Sequence, residues 1–316
     1  MTAVPLETLA PVWDRLTAIG WRAERITHVA RLDTGYRNRM FSVVHEGERF
    51  AVRLPRKTLL DAAWYRREMH NITAAATARV TPVPLLADAS DGLLVLPWID
   101  GEHFRAREVT PAAAARAGAA LRRLYTAPAF LAGEDCTDRL KRRLKRLMKD
   151  RAAATAHAPG LPTVAEAARP LLEALLRTQP PPTPCHGDLV LGNMIDTGAA
   201  VLLVDWETST FGDAHYDLAT VCVRARLDDA ARAAFLDAWF GPDGDDDDDD
   251  IGRTRVILWE VLYALDKALT YWAKARREGT IDPRCDGWTR RCAGLIATPG
   301  TRAALLRLDH AARTTA

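Results

Sequence analysis

The sequence predicts an α+β chain in two lobes, a small antiparallel β lobe followed by a larger helical lobe. Residues 26–54 contain short apolar runs of β type that are separated by tight turns. Beyond residue 110, apolar residues recur mostly at helical spacing. A chain of 316 residues is also long for one compact domain. We therefore expect an N-terminal lobe over residues 1–98 and a C-terminal lobe over residues 99–316.

The N-terminal lobe is expected to contain a sheet flanked by helices. Residues 6–19 carry apolar side chains at helical spacing and Gly20 fits a C-cap, so a first helix is predicted there. Turns at residues 33–35 and 46–48 separate three predicted strands within residues 26–54. The remaining predicted segments are a helix at 57–78 and strands at 80–86 and 93–99, the last of which runs into the hinge between the lobes.

The C-terminal lobe is expected to be mostly helical. Residues 139–151 predict an amphipathic helix with a basic outer face, and because such faces are most often simply solvated we assign it no function. The six aspartates at 245–250 repel one another, which predicts an exposed mobile loop. Further helices are predicted at 111–125, 164–177, 229–240 and 253–278, and others begin at 218 and 281.

Composition narrows the class of protein. Hydrophobic residues at 48%, charged residues at 27% and a net charge of +2 are ordinary values for a soluble globular protein. We expect no membrane span, a cytoplasmic location and no nucleic-acid partner, since the basic helix lacks interleaved aromatic residues. The five cysteines are odd in number and unpaired in sequence, which predicts neither a disulfide framework nor a zinc site.

One stretch has the composition of a phosphoryl-transfer site. It contains His186, Asp188 and Asn193, and the apolar run at 201–204 then ends on Asp205. Transfer of a phosphoryl group to a hydroxyl needs one carboxylate to accept the hydroxyl proton. It also needs an amide oxygen and a second carboxylate to hold Mg²⁺ against the nucleotide phosphates. The short loop and the following strand are expected to bring these groups together.

This spacing resembles the catalytic loop and metal-binding aspartate of the kinase superfamily. Three sequence motifs follow one another: His-Gly-Asp-Leu-x-x-x-Asn, Val-Asp-Trp-Glu-x-Ser and, over residues 212–219, Gly-Asp-x-x-Tyr-Asp-Leu-Ala. It is similar to the small-molecule branch, which contains choline and ethanolamine kinases, LicA-like and thiamine kinases, and aminoglycoside phosphotransferases. The resemblance implies a two-lobed protein-kinase-like fold, an N-terminal lobe that binds nucleotide, and ATP and Mg²⁺ as cofactors.

The resemblance also implies a role for each residue of the stretch. Asp188 accepts the hydroxyl proton, and Asn193 and Asp205 bind Mg²⁺. His186 braces the loop by hydrogen bonding, because Asp188 already has the role of base. Asp217 is structural, since its carboxylate accepts backbone N–H bonds from the loop.

In the part of the chain expected to bind nucleotide, residues 35–41 are similar to the Gly-x-Thr-Asn-x-x-Tyr/Phe motif of choline-kinase-like proteins. Gly35 and Asn38 are therefore expected to fold over the phosphates, and an ordinary hairpin turn is the alternative. Arg53 stands where kinases have a phosphate-binding lysine, and a guanidinium can hold a phosphate through two N–H bonds. Glu68 is the expected partner of Arg53, with a solvated helix position as the alternative.

The adenine ring is expected between the lobes. Leu96 and Trp98, together with Val52, supply apolar surface that could sandwich the ring. Backbone groups near the hinge would bind its edge, although Pro97 has no N–H to offer.

The acceptor is expected to be a small cationic alcohol held by aromatic faces and carboxylates. Trp206 and Glu207 follow the metal aspartate, and Trp259, Glu260 and Tyr263 lie on one predicted helix. Aromatic faces attract ammonium groups by about 0.5–2 kcal/mol. The alternative for the aromatic residues is the ordinary one, a stripe buried in the core.

Three functions remain open from the sequence. The first is a kinase of a small cationic amino alcohol such as choline, ethanolamine or thiamine, and the second is an antibiotic-inactivating aminoglycoside phosphotransferase. The third is a catalytically silent module that binds nucleotide, which the joint presence of Asp188, Asn193 and Asp205 argues against. The sequence does not fix the acceptor, the choice of ATP over GTP, or the oligomeric state.

Overall fold

A six-stranded antiparallel sheet dominates the N-terminal part of the computed structural model, which describes residues 1–32, 39–54, 62–106, 108–241 and 247–314. The strand order in the sheet is β1-β2-β3-β4-β6-β5. The strands are β1 Thr2–Ala3, β2 Ile26–Leu32, β3 Arg39–His45, β4 Glu48–Leu54, β5 Leu86–Ala87 and β6 Leu94–Pro97. Two α-helices accompany the sheet, α1 Trp13–Ala18 and α2 Ala62–Thr77.

Prolines account for two differences from the predicted elements. The predicted first helix is divided into a 3₁₀ helix, Leu6–Val12, and the short α1, because Pro11 has no N–H to donate to a regular helix. The strand predicted at 80–86 is reduced to β5, since Pro82 and Pro84 cannot donate to a ladder.

The two faces of the sheet pack against different hydrophobic clusters. Alternation along β4 sends Phe50, Val52 and Leu54 into a cluster beneath the sheet that also contains Leu16 and Trp21. The opposite face carries Ala51 and Arg53 and faces the rest of the chain. The directly paired register of β4 and β6 places Leu96 on that same face, opposite Ala51.

The second part of the chain is helical, with short strands that carry the loops of interest. Its helices are α3 Pro111–Tyr125, α4 Cys136–Lys149, α5 Arg151–His157, α6 Gly160–Ala167, α7 Arg169–Arg177, α8 Ala214–Ala225, α9 Asp229–Phe240, α10 Asp247–Glu278, α11 Pro283–Ile296 and α12 Pro299–Thr314. Its strands are β7 Glu102–His103, β8 Thr183–Cys185, β9 Met194–Asp196, β10 Val201–Leu203 and β11 Thr210–Gly212, paired as β10-β9-β7 and β11-β8.

Helix α10 is the central element of this part and packs against α4, α8, α11 and α12. Its middle is buried on several sides, with Leu262, Leu265 and Leu269 exposed by 1% or less. Along the described ranges, no helix has both the length and the apolar composition that a membrane crossing requires.

The described part of the acidic run, residues 247–250, is helical and does not form the predicted loop. Residues 247–250 are the first turn of α10, while residues 242–246 lie outside the described part of the chain. Carboxylates are favourable at a helix N-terminus because they meet the positive end of the helix dipole. Asp250 also pairs with Arg307 of α12 at 2.9 Å. These two attractions outweigh the mutual repulsion on which the prediction was based.

Candidate active site

Strand β8 leads into the loop at residues 186–193. Gly187 has a φ of +80°, and a Cβ there would lie 2.7 Å from the carbonyl oxygen of Thr208. The Thr208 hydroxyl donates to the carbonyl of His186 at 3.1 Å. A side chain at position 187 would separate the loop from the turn after Asp205, so the close approach requires glycine.

Asp217 fixes the loop from the first turn of α8. It is 3% exposed, and its two carboxylate oxygens accept the backbone N–H groups of His186 at 2.6 Å and Gly187 at 3.0 Å. Such charge-assisted bonds are stronger than neutral ones. The orientation of the loop therefore depends on a residue about 30 positions later in the chain.

His186 is fully buried and lies at 3.0 Å, through Nε2, from the carbonyl of Val204. Its other ring nitrogen, Nδ1, is an acceptor for the N–H of Asp188 at 3.4 Å. Burial lowers the pKa of His186 to about 4, so the ring is neutral at pH 7. With both nitrogens engaged and no solvent access, His186 can tie the loop to the end of β10 but cannot act as a general base.

Asn193 joins the two ends of the candidate metal site. Its side-chain Nδ2 donates to the backbone carbonyl of Asp188 at 2.9 Å. Its backbone carbonyl accepts from the backbone N–H of Val204 at 3.0 Å. Within the described residues, neither Asn193 Oδ1 nor the Asp205 carboxylate has a hydrogen bond or ion pair. These oxygens are therefore available as ligands.

Asp205 is held in an uncommon backbone conformation, with a φ of +71°. Its carboxyl reaches solvent, yet protein surrounds it closely. Desolvation, followed by the charge of Glu207, raises the pKa of Asp205 to about 7, while Arg53 acts in the opposite direction. A cation at this position would relieve the repulsion and favour the ionised carboxylate.

The donor set fits Mg²⁺, a hard cation that prefers oxygen ligands. The part of the chain that is described contains no group of three His, Cys, Asp or Glu side chains able to hold a metal. If an amide oxygen and one or two carboxylates bind the ion, its remaining coordination positions are left to water and phosphate oxygens. Mg²⁺ is commonly bound in this way beside nucleotides.

Arg53 and Glu68 form a buried pair, with Nη1 to Oε1 at 2.5 Å and Nη2 to Oε2 at 2.8 Å. Their side chains are 5% and 3% exposed. Arg53 also donates from Nε and Nη2 to the carbonyl of Gly92 at 3.2 and 3.1 Å. The backbone approaches this closely because Gly92 has no side chain: a Cβ there would lie 2.2 Å from the Tyr65 ring.

The expected adenine surface is formed in part. Leu96 lies on the same face as Arg53, but Val52 is paired with Val95 on the opposite face, so Ala51 and not Val52 is beside Leu96. The Trp98 N–H donates to the Arg49 carbonyl at 2.9 Å, and its indole lies under the Arg49 guanidinium at 3.6 Å. The backbone N–H of Trp98 is therefore not available to a base edge. The predicted residues Gly35 and Asn38 lie outside the described residues.

The aromatic acceptor site predicted from the sequence is not formed. Trp206, Trp259 and Tyr263 are each 1% exposed or less, so none of their ring faces is open to the ammonium group of an acceptor from solution. The Trp206 indole donates to the Leu203 carbonyl at 3.3 Å, and that of Trp259 donates to Asp213 Oδ2 at 2.7 Å. The aromatic stripe belongs to the core, which is the alternative that helical spacing had left open.

The predicted acidic residues are also engaged. Glu260 forms an ion pair with Arg232 of α9. Glu207 is close enough to Arg53 and Asp205 for its charge to act on both.

Lys267 was missed by the sequence argument. Its Nζ lies 3.4 Å from Asp188 Oδ1, and the contact crosses 79 positions of sequence. The available signal was weak: Lys267 is one of four charged residues within the apolar stretch of α10 at residues 254–273. Charged residues in a buried helix are usually paired, but the sequence does not name the partner.

Comparison with known proteins identifies the family. The profile of the phosphotransferase enzyme family matches residues 28–251. Two curated relatives, both LicA homologs, match shorter stretches. The one from Mycoplasma capricolum subsp. capricolum is 35% identical over 69 residues, or 22% of this chain and 29% of the relative. The one from Metamycoplasma hominis is 41% identical over 63 residues, or 20% and 24%. The matched stretch is under a third of each relative's length.

Solved structures match nearly the whole chain. A choline/ethanolamine kinase family protein from Mesorhizobium loti has a TM-score of 0.77 at 25% identity, covering 95% of this chain and 98% of that one. Choline kinase LicA from Streptococcus pneumoniae has a TM-score of 0.67 at 15% identity, covering 92% and 99%. An aminoglycoside phosphotransferase from Alicyclobacillus acidocaldarius has 0.61 at 14% identity, covering 93% and 94%. The predicted kinase-like fold is thereby confirmed.

Proposed function

The chain belongs to the phosphotransferase enzyme family, and on that premise we propose that it moves the γ-phosphoryl group of ATP to the hydroxyl of a small cationic amino alcohol. The observation that carries the proposal is the loop at 186–193. Asp217 anchors this loop, Asn193 ties it to the strand before Asp205, and the Asp188 carboxylate remains 37% exposed. An accessible carboxylate beside free oxygen ligands is the arrangement that phosphoryl transfer requires.

Asp188 has the role of base. An acceptor hydroxyl that donates to its carboxylate is oriented for attack on the γ-phosphorus, and the proton passes to Asp188 as the new P–O bond forms and the bond to ADP breaks. Lys267 holds Oδ1 of Asp188 and leaves Oδ2 for the hydroxyl. Nothing in this scheme needs a covalent intermediate.

Asn193 Oδ1 and Asp205 would hold Mg²⁺, which when bound neutralises charge on the β- and γ-phosphates. Arg53, already fixed by Glu68 and the Gly92 carbonyl, offers its remaining N–H to a phosphate oxygen. Because Glu68 and the Gly92 carbonyl hold the guanidinium, the cation is positioned in advance.

The cationic acceptor is supported by the relatives, among them a choline/ethanolamine kinase family protein at 25% identity. The predicted aromatic side chains do not add support, since all three are core residues, and Glu260 is paired with Arg232. An aminoglycoside acceptor is the second candidate, because the chain shares its fold with an aminoglycoside phosphotransferase.

The test is Mg²⁺-dependent ATP turnover with choline, ethanolamine, thiamine, an aminoglycoside and, as a neutral control, glycerol. Turnover with one cationic acceptor that is lost in Asp188→Asn supports the proposal. Turnover with glycerol alone would refute a cationic acceptor, and unchanged turnover in Asp188→Asn would refute the base.

A further inference from the structure

A cavity of about 180 Å³ lies between α4 and α10 and has no part in the mechanism above. Three arginines of α4 and one of α10 line it, above a floor that includes two buried apolar side chains of α10. The arginines are Arg142, Arg143, Arg146 and Arg277, and the floor residues are Leu269 and Trp272. Helix α4 is the basic helix predicted at residues 139–151, to which no function was assigned.

The cavity has more positive charge than its own counter-ions can balance. Arg142 is paired with Glu134, at 2.6 and 2.8 Å, and Arg143 with Asp266, at 2.5 Å. Arg146 and Arg277 have no ion pair within the described ranges, and no carboxylate lines the cavity. Four guanidinium groups thus share two carboxylates, and each unpaired one is repelled by its neighbours.

We propose that this arginine cavity binds a phosphate group, either inorganic phosphate or a phosphate monoester. Guanidinium groups bind phosphate oxygens through paired N–H bonds, and several converging arginines suit a dianion better than a carboxylate. The volume is below the roughly 300–1,000 Å³ of sites for drug-sized ligands, which selects a compact anion.

A nucleic-acid strand does not fit the same observations. Strand binding requires aromatic faces on which bases stack. Trp272, the aromatic residue of the floor, is only 3% exposed. The arginines line a single, partly open pocket and do not form a track along the surface.

The cavity is distinct from the proposed nucleotide site. Arg53 and Glu68 lie on the N-terminal sheet and α2, whereas the cavity is between α4 and α10. One connection to the active site runs through Asp266, which pairs with Arg143 and precedes Lys267 in the chain. The proposal therefore stands or fails independently of the kinase activity.

Isothermal titration with inorganic phosphate and with glycerol 3-phosphate tests the proposal on the full-length chain. Arg146→Ala and Arg277→Ala should each weaken binding by about tenfold or more, the effect of losing one charge-assisted hydrogen bond. Lys145→Ala is the matched control, because it removes one charge from the same helix outside the cavity lining. Arg146→Lys should bind phosphate more tightly than Arg146→Ala but less tightly than the wild type. Lysine keeps the positive charge but lacks the two parallel N–H donors of a guanidinium.

Sedimentation with phosphatidic acid vesicles, against phosphatidylcholine vesicles, distinguishes a lipid headgroup from a soluble phosphate. Vesicle binding that is lost in Arg146→Ala and kept in Lys145→Ala supports the cavity with a lipid as the source. An equal loss of binding in Arg146→Ala and Lys145→Ala would overturn the proposal, since it would indicate attraction to the overall positive charge of the helix and not to the cavity. So would phosphate binding that is the same in all variants, or no binding of phosphate, monoester or vesicle by the wild type.

Discussion

Lys267 Nζ lies 3.4 Å from Asp188 Oδ1, so the middle of α10 directly contacts the carboxylate proposed as the base. The same ammonium lies 5.0 Å from the centre of the Tyr263 ring, one helical turn earlier. The Lys267 side chain is only 18% exposed, and a pair that is partly shielded from water is less weakened by solvent and salt than a surface pair. We infer that Lys267 positions the carboxylate of Asp188.

Replacing Lys267 should reduce catalysis more than binding. Lys267→Met keeps most of the stem and removes the charge, so kcat should fall about tenfold or more while KM for ATP changes little. Lys267→Arg should recover part of the loss. Steady-state kinetics measure both, with Lys274→Met on the same helix as control. An unchanged kcat in Lys267→Met would contradict the positioning role.

Asp217→Asn should loosen the loop at 186–193. One carboxylate oxygen becomes an NH₂ group that faces a backbone donor, so the free energy of unfolding should fall by about 1–3 kcal/mol and turnover should fall with it. Urea unfolding and turnover are measured together. Asp228→Asn is the matched control, because Asp228 caps α9 and asparagine caps a helix equally well. Equal effects of the two substitutions would be evidence against a special role for Asp217.

Trp259→Phe should affect stability and not acceptor binding. The substitution removes the indole donor to Asp213, a buried carboxylate that Arg255 and His215 also hold. Burial opposes ionisation of Asp213, but these partners hold its pKa well below the usual range. Loss of one donor should therefore cost about 1–3 kcal/mol of unfolding free energy. A large rise in the acceptor KM at unchanged stability would instead favour the aromatic cage.

His186 should make the fold less stable in mild acid. Its pKa is about 4 in the folded protein against about 6.5 when exposed, so between these values the unfolded chain binds the extra proton. Stability should therefore decrease as pH falls below 6.5, by about 2 kcal/mol at pH 5 from this group. Urea unfolding at pH 8 and pH 5 measures the total, and His186→Gln should show a smaller pH dependence. The same dependence in both proteins would exclude His186 as its source.

The local sequence was sufficient to predict the arrangement of those candidate-site residues that lie close together in the chain. The loop from His186 to Asn193 and the short strand pair that returns to Asp205 leave few alternatives for where these groups meet. The pair of Arg53 with Glu68 was also foreseeable, because a strand followed by a helix over its face brings the two side chains together. For such segments, spacing and side-chain chemistry act at short range.

Only the tertiary structure decided which face of each element meets solvent and which meets protein. Helical spacing put Trp259 and Tyr263 on one side of α10, but the packing of α8 on that side made it core. The contact of Lys267 with Asp188 joins segments 79 residues apart, and the arginine cavity joins α4 to α10 in the same way. Periodicity fixes the direction of a side chain relative to its own helix, while its partner is fixed by long-range packing that no local pattern encodes.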